Sequence, residues 1–79
     1  MPQFEVSNGF RRSLPRLGQN RPFAKLTQKR ISRCVREEAL RPHYGSNNVN
    51  VTCLPRFDGK YWTGKCEING KQETFWISP

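Results

Sequence analysis

A chain of 79 residues, 34% of them hydrophobic, has room for one domain with a small core, near the lower limit at which a single core sustains a fold. No apolar run approaches the ~18 residues of a membrane-crossing helix, so a spanning segment is set aside and no membrane partner is expected. The net charge is +8, far enough from zero to direct attention to where the charge lies.

It lies in the first half. Between Val6 and Arg36 stand Arg11, Arg12, Arg16, Arg21, Lys25, Lys29, Arg30, Arg33 and Arg36, with no acid among them. From Glu37 onward acids and bases balance. A scattered excess would serve solubility alone. Segregated charge points instead to a polyanionic partner, either nucleic acid or an acidic protein surface.

Taken in chain order, residues 1–25 are punctuated by Pro2, Gly9, Pro15, Gly18 and Pro22. Ser7 or Asn8 suits the cap of a short turn that Pro15 would stop, so the expectation is an irregular basic N-terminal arm. Phe4, Phe10 and Phe23 are its anchors on the body. "MPQFEVSNGFRRSLPRLG" has no apolar core of a secretory signal. It is Arg-rich like a mitochondrial presequence, but Glu5 and its prolines oppose the amphipathic helix such a signal needs.

"LTQKRISRCVREEAL" reads as one amphipathic helix over about 27–40, capped by Thr27 and ended by Arg41-Pro42. At 100° per residue, Ile31, Cys34, Val35 and Ala39 share the inner face. Lys29, Arg30, Arg33 and Arg36 share the outer one. Bases crowd the first turns and Glu37 and Glu38 come late, the order the helix dipole disfavours by about 0.3–1 kcal/mol per misplaced charge. A charge arrangement that costs stability reads either as a face kept for binding or as a solvated face that tolerates the cost.

After the connection "PHYGSNN", three strands are expected at about 49–54, 60–68 and 71–78, turned by Asp58-Gly59 and Asn69-Gly70. The fold class is therefore α+β: an arm over residues 1–25, then a single α-β-β-β domain over 26–79 with the helix packed on a three-stranded antiparallel meander. Two-residue loops set Ile68 against Lys71, Cys66 against Glu73, Gly64 against Phe75 and Trp62 against Ile77. Across the other pair, Cys53 opposes Gly64 and Val51 opposes Cys66. The core face then collects Val49, Val51, Cys53, Trp62, Cys66, Ile68, Phe75 and Ile77. Pro55 fits an edge strand or a bulge, and that first strand, 49–54, is a possible dimer edge.

The opposite face carries Tyr61, Thr63, Lys65, Glu67, Gln72, Thr74 and Trp76. A tryptophan there is either a recognition residue or one covered by Phe10, Phe23 or Leu26 folding back from the arm. Tyr61, Lys65 and Trp76 thus join Arg11, Arg12, Arg16, Arg21, Lys29, Arg30, Arg33 and Arg36 as candidate partner-binding residues. Three cysteines, Cys34, Cys53 and Cys66, have no zinc-ligand spacing. They read as free thiols in a reducing cytoplasm. The register nonetheless brings Cys53 and Cys66 to neighbouring strands, where a disulfide is conceivable if the chain is exported. "NVT" at Asn50 would then be a glycosylation triplet.

The meander "RFDGKYWTGKCEINGKQETFWIS" distantly resembles the DNA-reading sheets of plant AP2-type and integrase arm-binding domains through its G-K-Y/W … N-G-K pattern. Those folds place a helix after the sheet, where this chain has its helix before. The α-β-β-β order resembles the front of a double-stranded-RNA-binding domain, whose second helix and basic motif have no counterpart in residues 1–79. Neither resemblance assigns roles to residues. No phosphate loop, HExxH or GxSxG is present, so the expected protein is non-enzymatic, without cofactor or metal. A small toxin-like ribonuclease, which can dispense with obvious motifs, is the enzymatic alternative, with His43, Arg56, Tyr61 and Lys65 as its candidate residues.

Overall fold

The computed structural model describes residues 1–19 and 21–79. Its core is an antiparallel sheet of five strands in the order β2-β1-β5-β4-β3, with a helical rod packed on one side. The strands are β1 (Gln3–Val6), β2 (Arg11–Ser13), β3 (Val49–Phe57), β4 (Trp62–Ile68) and β5 (Lys71–Ser78). The α+β class holds, but the sheet has five strands rather than three.

The extra pair comes from the segment expected to be an irregular arm. In "QFEV", Phe4 and Val6 alternate with Gln3 and Glu5, and β1 lies antiparallel to β5 with Glu5 opposite Trp76 and Val6 opposite Phe75. Asn8-Gly9, read as the start of a helical turn, closes a hairpin instead. Gly9 takes φ 98°, its N–H donates to Val6 O at 2.8 Å, and Val6 N–H donates to Phe10 O at 2.9 Å. Phe4 is fully buried, with its ring 5.6 Å from Phe75 and 6.1 Å from Phe10. Burial of one such side chain contributes roughly 1.5–3 kcal/mol, enough to hold a short strand that local propensity alone would leave unformed. Ser7 secures the end of β1: its hydroxyl accepts from Thr74 N–H at 3.0 Å and donates to the buried carboxylate of Glu73. Leu14 and Leu17 then carry the chain under the helix as further core residues.

A short 3₁₀ turn (Phe23–Lys25) leads to Thr27, whose hydroxyl accepts from Arg30 N–H at 3.1 Å as the expected N-cap. The helical rod runs through α1 (Gln28–Cys34), a π-wound segment (Val35–Leu40) and α2 (Arg41–Tyr44). It therefore outlasts Arg41-Pro42, where a stop was expected. In the wide turn Arg41 N–H bonds back to Arg36 O, a spacing of i→i−5 that absorbs the interruption before proline. Gly45, at φ 97°, makes the actual stop. The buried inner face includes Ile31, Cys34, Val35 and Ala39 as expected, and gains Leu40 because the π turn shifts the helical phase.

The β4–β5 register follows the Asn69-Gly70 turn: Ile68 pairs with Lys71, Cys66 with Glu73, Gly64 with Phe75 and Trp62 with Ile77. Asn69 at φ 52° and Gly70 at φ 83° supply the left-handed geometry of the tight turn. At the other end the connection is longer than two residues. Phe57 pairs with Trp62, and the Asp58 carboxylate accepts from Lys60 N–H at 2.9 Å and Tyr61 N–H at 2.8 Å. These backbone donors hold its pKa below the usual carboxylate value.

β3 is an edge strand, as expected, and departs from the expected register beyond Val51. Val51 opposes Cys66, but shifts on either side of Cys53 set Cys53 against Lys65 and Arg56 against Thr63. The bulged segment contains Pro55, whose buried ring cannot donate to the ladder and whose carbonyl accepts from Gln28 Nε2 at 2.9 Å. Cys53 is consequently exposed on the outer side of the sheet, whereas Cys66 is buried on the inner side. All three thiols are free, and the bulge removes the neighbourly placement on which a Cys53–Cys66 disulfide depended.

Candidate binding surfaces

The candidate residues divide between two surfaces on opposite sides of the sheet. On the helix side, Lys29, Arg30 and Arg33 are exposed on α1, and with Arg16 they line a shallow groove that also touches Thr27, Glu37 and Glu38. Arg16 Nε lies 3.7 Å from Glu38. Among the described residues, none of Lys29, Arg30 and Arg33 takes part in an ion pair. Arg12, opposite Phe4 in the sheet, extends this basic side past Pro15 toward Glu38 and Pro42. Arg21 is exposed and lies outside the groove's lining.

Arg36 departs from the expected set. It is only half-exposed, with Nε 3.1 Å from Glu37, and Arg41 reaches the same carboxylate oxygen at 2.8 Å. These partners, Arg36 first, hold the Glu37 carboxyl below its ordinary range. The helix thus spends Arg36 on an internal ion-pair network and, among the described residues, leaves Lys29, Arg30 and Arg33 unpaired. Below them Cys34 is buried, and burial, with Glu38 beside it, pushes its thiol up to about 12. A thiol so protonated is a packing group rather than a nucleophile.

On the other side the sheet is uncovered. Directly opposed residues share a face, so the pairs Arg11–Glu5, Glu5–Trp76, Trp76–Thr63 and Thr63–Arg56 build one row across all five strands. The next row holds Thr74, Lys65 and Cys53. Trp76 sits mid-row with 38% of its surface exposed, in a shallow groove lined by Gln3, Glu5, Arg11, Tyr61 and Ser78. Arg11 is tied to Glu5 at 3.3 Å, and Lys60 Nζ stands 5.2 Å over the Tyr61 ring.

The apolar residues that could have covered Trp76 are engaged elsewhere. Phe10 stacks on His43 with ring centres 4.2 Å apart, Phe23 packs edge-on to Phe57, and Leu26 is in the core. Trp62, the other tryptophan, is inside, its Nε1 donating to Phe23 O at 3.1 Å. His43 lies against Phe10 and Tyr44 at the end of the rod, while Arg56, Tyr61 and Lys65 belong to the uncovered side. These four residues are therefore divided between the two sides of the sheet. Sequence reasoning missed Glu5 and Arg56 as members of the Trp76 row. Glu5 required recognising β1, and Arg56 required the β3 bulge.

No protein-family model, curated protein or solved structure matches the chain. No helix among the described residues is long and apolar enough to cross a membrane.

Proposed function

We propose that this chain is a small non-enzymatic binding protein that contacts nucleic acid through the basic groove on the outer side of its helix. One observation carries the reading: Lys29, Arg30 and Arg33 stand together beside Arg16, without acidic partners for the first three among the described residues. Clustered like charges at the start of a helix repel one another and oppose its dipole, and a phosphate backbone relieves both. Four such contacts on duplex DNA would give a log–log salt slope of about −3 to −4.

The test is duplex binding across a salt series. Arg33→Glu should weaken binding to unrelated sequences alike and flatten the slope by about one. An unchanged affinity and slope would defeat the assignment of the groove. A second reading, docking on an acidic protein, draws support from the opposed placement of Trp76 and the basic groove, which gives the molecule two separate surfaces. Poly-glutamate bound as tightly as duplex, with the same dependence on Arg33, would favour that reading.

A further inference from the structure

The uncovered sheet face has a composition different from that of the helix groove. Its centre is an exposed indole, Trp76, with Tyr61 at its edge and the hydroxyls of Thr63, Thr74 and Ser78 around it. Its free cations are displaced to one side. Arg56, Lys60 and Lys65 belong to β3, β4 and their connection, and none is in an ion pair among the described residues. The acids on this side are Glu5, on the opposite flank of Trp76 and tied to Arg11, Glu67, two residues along β4 from Lys65, and Asp58, whose carboxylate accepts from the backbone N–H groups of Lys60 and Tyr61 in the β3–β4 connection.

We propose that this face binds a single-stranded nucleic acid, stacking an unpaired base on Trp76 while the backbone runs over the Thr63, Lys65 and Arg56 side. The proposal rests on the nucleic-acid reading above and assigns a second, separate site. A flat aromatic on an open sheet can stack any base, since every base has a π-face. Bases in a duplex are already stacked on one another and do not offer that face. Arg56 stands two strand spacings from Trp76, about 10 Å, within reach of the phosphate of a nucleotide whose base covers the indole. Glu5 repels phosphate on the other flank and so sets the side on which the backbone passes.

The experiment titrates the full chain with an oligo(dT) single strand and with a duplex of equal length at about 50 mM salt, following tryptophan emission and, separately, anisotropy of a labelled strand. The single strand should quench emission, and Trp76→Phe should remove that quenching while leaving the signal of the buried Trp62. Trp76→Ala should weaken single-strand binding by about tenfold or more with duplex affinity unchanged. Lys65→Glu should weaken it as well, and Glu5→Gln should strengthen it a few-fold.

Single-strand binding that is unquenched and indifferent to Trp76→Ala and Lys65→Glu would overturn the stacking site while leaving the basic groove standing. Failure of both strands to bind at low salt would overturn the nucleic-acid reading itself, and this site with it. Concentration-dependent self-association abolished by Trp76→Ala, without single-strand binding, would give the face to a second copy of the chain and overturn the proposal.

Discussion

Phe75 and Trp76 are neighbours on β5, yet one is fully buried and the other is 38% exposed. The inner face of the sheet receives Phe75 together with Phe4, Trp62, Cys66 and Ile77, and the helical rod seals it. The outer face receives Trp76 in a row of polar and charged residues that no element among the described residues covers. The same strand therefore stabilises the fold with one aromatic and presents the next. The helix repeats the division, with Ile31 and Val35 inside and Lys29, Arg30 and Arg33 outside. Two exposed surfaces of different composition result, on opposite sides of the sheet.

The contrast between inner and outer faces is most directly broken by truncating the two aromatics in turn. Phe75→Ala should cost about 3–5 kcal/mol in chemical denaturation, a large share of the total for a chain this size. A smaller loss is expected from Gly64→Ala. A Cβ at Gly64 would meet the Phe75 ring at 2.5 Å, so overpacking should cost roughly 1–3 kcal/mol, and the Phe75→Leu background should relieve part of it.

Alkaline titration sharpens the inner face chemically. Burial raises Cys34 to about 12 and Cys66 to about 11 from an ordinary value of 9.0. The native state thus holds those protons more tightly than the unfolded chain. Their stabilising effect is complete below pH 9 and is lost as pH rises through the native values. Melting temperature should decline over that window, and less steeply in Cys34→Val.

On the outer surfaces Trp76→Ala and Arg33→Glu should each change stability by only about 0.5 kcal/mol, while the binding measurements above respond. A loss comparable to that of Phe75→Ala would mean that Trp76 belongs to the core after all.

The parts legible in the sequence were those fixed by short-range rules. Asn69-Gly70 set the β4–β5 register residue for residue. Thr27 capped the helix, and the spacing of Ile31, Cys34, Val35 and Ala39 gave its buried face. The placement of the candidate residues was legible as charge and as alternation: Lys29, Arg30 and Arg33 on one side, Tyr61, Lys65 and Trp76 on the other. A uniform helical wheel gave no sign of the ion pair that Arg36 makes with its neighbour Glu37. Cys53 misled because a bulge reverses the alternation that period-two reasoning assumes.

By itself, then, the sequence determined which residues alternate, where the tight turn falls and that the cations are segregated, since each depends on contacts a few residues apart. Only the tertiary structure decided that residues 3–6 and 11–13 are strands. Phe4 and Val6 gain their burial from Phe75 and the rest of the core, far along the chain. It also decided that Trp76 stays uncovered and that Arg56 joins its row, because both depend on how distant strands align across the sheet. Local patterns carry no record of such pairings, whose stabilisation appears only when the segments meet.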